Sequence, residues 1–454
     1  MPTTRLEDFV IKKSIRAESI PGYEEMAVLG VSNKLGITVT DHKKSKDLAK
    51  YLLIEEGDFA YNPYRINVGS IGLVPAGTRG LVSPAYVVFT TTDRLIPELL
   101  LDFLKSQEGL RQIGKYARGT VRKALRFEDL TQIELPIPPM NNQMEILSKR
   151  KSIETEVDLV KSELTHQQTL LKKLRQQILQ EAIEGKLTAD WRAQNPDMEP
   201  ASELLKRIAA EKAQLVKNKK IKAQKPLPPI TDEEKPFELP QGWEWCQLGM
   251  VTLEYEAGKS FKCEERSVKR GEWGVIKTSA VTSSFFNENE NKFYRDKKPA
   301  GALKIISEGD LIFCRASGSK GLTGKCCVVR SIKNNLLLSD KTPRLKLSRF
   351  VNISFVFFHN ETEHTSNYYS SLNTGKSTSM NNITKEQLLN KIIPLPPVDE
   401  QQAIVNKVEK LFALCDQLET QITQNQSHAE QLIQAVLKEA FSHNSEVESS
   451  VEIQ

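Results

Sequence analysis

Two stretches of this chain, Leu135–Ile183 and Ile393–Phe441, carry one pattern at a constant offset of 258 residues without a gap. A repeat of that length marks a tandem duplication with interior pseudo-symmetry. The first copy opens LPIPPMNNQMEIL and the second IPLPPVDEQQAIV. Pro136, Pro138, Pro139, Gln143, Ile146, Asp158, Leu174 and Ala182 return as Pro394, Pro396, Pro397, Gln401, Ile404, Asp416, Leu432 and Ala440. Whatever the chain does, it does with two like parts.

After each proline motif the apolar residues step by three and four, the signature of a coiled-coil seam rather than a helix lying on a sheet. The first seam is Ile153, Val157, Val160, Leu164, Gln167, Leu171, Leu174 and Ile178; the second is Leu411, Cys415, Leu418, Ile422, Asn425, Ala429, Leu432 and Val436. Asn141 or Asn142 can cap the first helix, and Gly185 can close it. A helix of about 43 residues would be about 65 Å long, too long for its own domain to bury. Gln167 and Asn425 share one heptad place, and the expectation is that they face each other as a buried amide pair that sets register in an antiparallel coiled coil.

Residues 1–140 and 239–398 surround these helices with short β-branched and aromatic runs punctuated by Gly, Pro and Asn, which predict mixed, β-rich domains. Gly57-Asp58, Gly69 and Gly72 return as Gly309-Asp310, Gly321 and Gly324, now at an offset of 252. The expected fold is therefore α+β: domain 1–140, helix 141–185, polar linker 186–238, domain 239–398, helix 399–442 and a flexible tail 443–454. Within the linker, 202–219 reads as an amphipathic helix capped by Ser202. Lys217–Lys225 and the following PLPPI read as an extended, flexible, solvated segment.

A chain of 454 residues exceeds what one core usually supports, in keeping with two domains. No segment approaches a membrane span and MPTTRLEDFV has no apolar signal region, so the expected location is the cytoplasm, with no membrane partner. Cysteines 246, 263, 314, 326, 327 and 415 lack CxxC spacing and read as reduced, mostly buried thiols. The histidines read as surface residues without metal-site spacing, so no metal is expected. Gly258-Lys259-Ser260 and Gly375-Lys376-Ser377 lack the earlier glycine of a phosphate loop. Asn62-Pro63-Tyr64 lacks the second proline of an adenine methyltransferase signature. No catalytic residue emerges.

What remains is loops rich in Arg, Lys, Ser, Asn and Gly, the chemistry of phosphate and base-edge contact. A net charge of +5 permits such patches without demanding them. In the first domain the candidates are Lys43, Lys44, Lys46, Arg65, Asn67, Arg79, Arg118, Thr120, Arg122 and Lys123. In the second they are Lys277, Arg315, Ser317, Ser319, Lys320, Lys325, Lys341, Arg344, Lys376, Ser377, Thr378, Asn381 and Asn382. Any one of them is more often a solvated charge; their recurrence at matching places carries the argument.

The doubled LPxPP-x3-Q motif leading into heptads, the Gly-Asp domains, the LPxGW motif at Leu239 and the ASELLKRIAAEK linker together resemble the specificity subunit of a type I restriction-modification enzyme, along essentially the whole chain. The resemblance implies two target recognition domains, each reading half of a split, asymmetric site on double-stranded DNA. It implies an antiparallel helical spacer that docks two adenine-methyltransferase subunits and, in the full complex, two translocating restriction subunits. No cofactor would be bound by this chain; S-adenosylmethionine, ATP and Mg would sit on the partners. Leu135–Pro139 and Ile393–Pro397 would be hinges, Gln143 and Gln401 would start the helices, and Lys149, Lys172, Arg175, Lys407 and Gln434 would meet the methyltransferase. One departure stands out: LPxGW has no match before the first domain, and Met1 is expected to align near Leu253, which leaves its opening strand in question.

Geometry agrees with that resemblance, since a rod of about 65 Å matches about 19 base pairs at 3.4 Å each. Two rivals remain: a coiled-coil adaptor whose ends bind proteins, which predicts no sequence-dependent DNA affinity, and a self-sufficient methyltransferase, which predicts S-adenosylmethionine on the isolated chain.

Overall fold

In both β-rich regions the central strand is buried on both faces, Asp58–Tyr61 in one and Leu311–Phe313 in the other, so Phe59–Tyr61 and Leu311–Phe313 read as continuous apolar runs rather than alternations. The computed structural model describes residues 3–33, 35–40, 48–119, 122–283, 285–295, 304–319, 321–372 and 381–442. Met1–His166 with Gln421–Gln454 form one compact unit, and Gln167–Thr420 form the other.

The first unit contains a head built on an antiparallel sheet in the order Val10–Lys13, Val87–Thr91, Asp58–Tyr61, Ile71–Leu73. Phe59 and Phe89 stack at 4.6 Å at its centre, and Leu100, Leu104 and Ile113 from helices Pro97–Lys105 and Gln107–Tyr116 close over them. The second unit repeats the sheet as Thr252–Glu256, Arg344–Leu347, Leu311–Phe313, Cys326–Val328. It adds a second four-stranded sheet, Cys263–Glu264, Asn291–Tyr294, Trp273–Ile276, Asn335–Leu337. The fold is α+β, with two β-rich regions and two long helices.

Strand register fixes which residues correspond. Leu311 faces Leu345 and Val328 as Phe59 faces Phe89 and Leu73. Gly57 and Gly309 take φ of 81° and 84°, a left-handed turn open to glycine. The following carboxylates tie that turn: Asp58 accepts from the Glu55 N–H at 3.0 Å, and Asp310 from the Ser307 N–H at 2.9 Å. The expected match of Gly72 with Gly324 fails. Gly72 faces Ala60, and the residue in that place of the second sheet, facing Ile312, is Cys327. Three additional residues in the second loop displace the glycine, so equal spacing there was coincidence.

The opening strands also correct the sequence reading. Thr4 pairs with Leu135 as Cys246 pairs with Ile393, so Thr4 corresponds to Cys246, and the first head's opening does not align near Leu253. The first head does have its opening strand, Thr4–Arg5, shorter than Glu244–Gln247. The edges above them are finished differently. In the second head Arg207 of the linker helix lies 4.1 Å from the Phe350 ring; in the first, Arg94 occupies the place of Phe350, stacks on Phe9 at 4.7 Å and donates to the Asp8 carbonyl.

The linker helix runs Ala201–Lys217 with Pro200 as an N-cap that makes no side-chain bond, so Ser202 lies inside the helix and does not cap it. The segment expected to be flexible is strapped to the second head. Lys212 donates to the Gly249 carbonyl and Gln224, Gln224 donates to the Thr252 carbonyl, and Gln247 to that of Pro228. Burial lowers the Lys212 amine to about 8.

The stalk helices are Met140–Ile183 and Val398–Ser442. Asn141 and Asn142 fall inside the first turn instead of capping it, whereas Gly185, at φ 69° with Lys186 N–H bonded to the Glu181 carbonyl, closes the helix as a Schellman turn. Residues 140–166 share a unit with 421–442, and 167–183 share the other with 398–420, so the two helices run antiparallel. In the second unit Arg175 donates to Asp416 and Glu419 at 2.7 and 2.8 Å across this pair.

The buried line of each helix steps by sevens: Val157, Leu164, Leu171 and Ile178 in one, Val408, Cys415, Ile422 and Ala429 in the other. Val160, Leu174, Leu418 and Leu432 are about half exposed, Ile153 and Leu411 intermediate, and the Val436 side chain lies outside the described residues. The expected buried amide pair fails as well. Gln167 and Asn425 are exposed, and Asn425 accepts from Gln421 of its own helix at 3.0 Å, because only one of the two alternating heptad positions turns inward.

Candidate nucleic-acid interface

Each head sends out two loops that are tied to each other in the same way. In the first, Asn62–Ser70 leaves the central strand; Asn62 Oδ1 accepts the Tyr64 N–H at 3.0 Å, Ile66 anchors the loop in the core, and Gly69 ends it at φ 81°. Tyr64, Arg65, Asn67 and Val68 are thereby turned outward, Tyr64 with 59% of its surface exposed. With Ser32, Asn33 and Ser70 they line a cleft of about 580 Å³.

Beside it, Arg118 and Ala124 exchange backbone hydrogen bonds at 3.0 and 2.8 Å, which projects Arg122 and Lys123. The Leu125 N–H then donates to the Pro63 carbonyl at 3.0 Å. In the second head the Ile383 N–H donates to the Arg315 carbonyl at 3.0 Å, and Ala316–Ser317 pairs with Asn381–Asn382. The Arg315 N–H reaches the Lys341 carbonyl at 2.8 Å, so Arg315, Ser319, Lys341, Asn381 and Asn382 share one surface.

The side chains of other candidates are taken up by partners within the fold. Arg79 pairs with Glu55 at 2.9 Å, Arg118 with Asp129 at 2.9 Å, Lys277 with Glu290 at 3.8 Å and Lys325 with Glu361 at 3.5 Å. Ser317 is buried and accepts the Ser319 N–H at 3.1 Å. Arg344 is no surface reader: it is buried between Glu256 and Asp310, because two interior carboxylates demand a cation. Lys43, Lys44, Lys46, Thr120, Lys320, Lys376, Ser377 and Thr378 lie outside the described residues.

Sequence reasoning missed Tyr64, Ser32 and Asn33. Tyr64 was visible only as part of a failed methyltransferase signature, and no periodicity brings residues 32 and 33 beside 65 and 67. It also misread His359, which is buried in helix Ile353–Asn360, where desolvation and the nearby Lys391 amine hold its pKa down. Burial raises the thiols of Cys314 to about 11 and Cys327 to about 12, so they stay protonated near neutrality. Among the described residues no group of three or more His, Cys, Asp or Glu could hold a metal ion.

The two motif glutamines, expected to start the helices, sit in their first turns and also bind the heads. Gln143 accepts the Ile96 N–H at 2.9 Å and donates to the carbonyls of Arg94 and Pro138 at 2.9 and 2.8 Å. Gln401 accepts the Asn352 N–H at 2.7 Å and donates to the carbonyls of Pro396 and Phe350 at 3.0 and 3.5 Å. The preceding residue differs between copies. Glu400 is fully buried and receives Thr188, Arg192 and the Trp243 indole at 2.7 to 2.8 Å, which explains the tryptophan of LPxGW; Asn142 in the first copy is exposed.

Residues 240–425, the second head and part of its stalk helix, match the family described as Type I restriction modification DNA specificity domain. The chain is 41% identical over 251 residues to the Type I restriction enzyme EcoEI specificity subunit of Escherichia coli, covering 55% of this chain and 41% of that protein. It is 24% identical over 366 residues to the EcoKI specificity subunit of Escherichia coli strain K12, covering 80% and 67%. The match thus spans about two fifths of the EcoEI subunit. In fold it is similar to the HsdS subunit from Thermoanaerobacter tengcongensis, with a TM-score of 0.51, 19% identity and 97% and 96% coverage. A chain from a structure described as the basis of complex assembly and conformational transition of the type I R-M system gives 0.64, 19% identity and 97% coverage of both.

Proposed function

Because this chain belongs to the specificity subunits of type I restriction-modification systems, we propose that it reads DNA sequence on behalf of partner enzymes and carries no catalytic centre of its own. Each head reads one half of a bipartite site through its tied loop pair. The doubled tie, Leu125 to Pro63 and Ile383 to Arg315, carries this reading, because it presents Arg, Asn, Lys and Ser side chains from matching loops. Arg65 and Arg315 suit guanine edges, Asn67 and Asn381 suit adenine, and Arg122, Lys123 and Lys341 suit phosphate. The aromatic Tyr64 has Ala316 in its place in the second head, so the half-sites differ.

The stalk docks two adenine-methyltransferase subunits and, in the full complex, two translocating restriction subunits, which hold S-adenosylmethionine, ATP and Mg. Exposed Val160, Leu174, Leu418 and Leu432, with Lys149, Lys172 and Lys407 outside them, support a partner-binding surface. Arg175 is engaged between the stalk helices and drops out of that set; the Gln434 side chain lies outside the described residues.

Co-expression with the methyltransferase partner in an unmethylated host, read by long-read methylome sequencing, tests the proposal. A bipartite adenine motif is expected. Arg65→Ala with Asn67→Ala should reduce methylation of the sequence read by the first head roughly 10- to 100-fold and relax that half alone, as the loss of bidentate base contacts implies. Arg315→Ala with Asn381→Ala should do the same to the other half, and relaxation of both halves by either pair would sink the assignment.

A further inference from the structure

Each head meets its stalk helix through a Pro-Pro step, Pro138-Pro139 in one copy and Pro396-Pro397 in the other. Prolines have fixed φ and no N–H, so these two steps donate no backbone hydrogen bond that could pin the head's tilt. The pin is a side chain. Gln143 and Gln401 sit in the first turn of their helices, each only 1% exposed. Each ties three points at once: its own helix, the proline junction, and the head segment entering Pro97–Lys105 or Ile353–Asn360.

Only a primary amide suits this arrangement. It offers an acceptor for one N–H and donors for two carbonyls; a carboxylate would face those carbonyls with like polarity, and an apolar side chain would leave all three backbone groups unpaired. The same clamp recurs in both copies although the heads differ in nearly every loop.

We propose that Gln143 and Gln401 are positioning residues that fix the pitch of each head on its stalk, and through it the number of unread base pairs between the two half-sites. The proposal rests on the DNA-reading function above. A head of about 130 residues has a radius of gyration near 14 Å and so a diameter of about 36 Å, and a tilt of about 5° at the junction carries its far surface about 3.4 Å, one base-pair step. Stalk length sets the gap coarsely; the amides hold it to a single value.

The test uses the full chain with its methyltransferase partner and the same methylome readout. Gln143→Met and Gln401→Met keep side-chain volume and remove the clamp. Ile96→Pro removes only the N–H that Gln143 accepts, at a residue whose φ of −66° and ψ of 124° already suit proline, and leaves Gln143 in place. The expected result is methylation of unchanged half-site sequences at gaps one base pair longer or shorter. The off-gap fraction should rise about tenfold over wild type in the Met variants, the weight of one typical hydrogen bond lost, and less in Ile96→Pro. A single unaltered gap with methylation lowered evenly at all sites overturns the proposal, as does loss of all methylation in all three variants, since either makes the amides merely structural. Absence of any bipartite motif in the wild type would instead sink the DNA-reading function.

Discussion

Asp58 and Asp310 tie the same turn in the two heads, yet their charge is met from different strands. In the first head Lys13 reaches Asp58 at 2.6 Å, and Val88 lies opposite it in the sheet. In the second, register places Glu256 where Lys13 stands and Arg344 where Val88 stands, and Arg344 bridges Glu256 to Asp310 at 2.6 Å. The lesson is that the turn-tying carboxylate is kept while its cation is free to move, because burial requires compensation but not from a particular neighbour. Burial alone would raise Glu256, but hydrogen bonds from Lys304, Arg344 and Lys346 outweigh it and hold the carboxyl at about 2.

A second contrast lies at the junction with the stalk. Arg150 pairs with Asp102 at 2.5 Å in the first unit, whereas Val408 and Phe358, both buried, hold the matching places in the second. Here desolvation wins over Arg150 and raises Asp102 to about 6.

The largest expected effect breaks the first contrast. Arg344→Leu leaves the half-buried Asp310 without its cation and takes one of three cations from the buried Glu256, and should lower the stability of the second unit by about 3–4 kcal/mol. Urea titration followed by tryptophan fluorescence reads this unit alone, since Trp191, Trp243, Trp245 and Trp273 all lie in it. Glu256→Lys with Arg344→Val, which copies the first head, should recover most of the loss; a double variant as unstable as the single one would refute the equivalence. Because Glu256 is depressed from 4.5, its stabilisation is complete above that pH and fades as pH falls toward 2.

The junction should respond less, and with the opposite sign. Arg150→Val leaves Asp102 unpaired but partly hydrated, at about 2–3 kcal/mol, and Asp102→Leu with Arg150→Val should restore stability to within about 1 kcal/mol. Since the folded state raises Asp102 from 3.8 to about 6, the first unit gains stability as pH falls from 6 toward 3.8. Amide hydrogen exchange in Pro97–Lys105, corrected for intrinsic rates, should show that gain between pH 6.5 and 4.5 in the wild type and not in Asp102→Asn. The smallest effect concerns the stalk: Gln167→Leu with Asn425→Leu should change stability by no more than about 0.5 kcal/mol, as for exposed positions generally. A loss or gain beyond about 2 kcal/mol in thermal melts would mean that the amides are buried in the seam after all.

Much of this was legible in the chain. Periodicity foretold both long helices, Gly185 foretold where the first one ends, and the recurring Gly-Asp foretold equivalent turns, because each depends on local backbone preference and spacing. Gly72 and Gly324 misled for the same reason, since spacing cannot reveal a loop that is three residues longer. The linker read as flexible because its composition is polar; that Lys212 and Gln224 would find backbone carbonyls on the second head, and that Gln247 of that head would find the Pro228 carbonyl of the linker, depends on contacts between residues distant in sequence. Of the interface candidates, Arg65, Asn67, Arg315 and Asn381 came together on tied loops, while Arg344, of the same residue type, went to the interior.

By itself, then, the sequence determined a duplicated α+β chain with two β-rich heads and two heptad helices, since repeats, periods and turn residues act over a few positions. Only the tertiary structure decided which heptad position turns inward, which arginine is buried, and that Gln143 and Gln401 grip the heads. Those outcomes depend on which polar groups lose water and which partners reach them in space, and adjacency along the chain does not specify either.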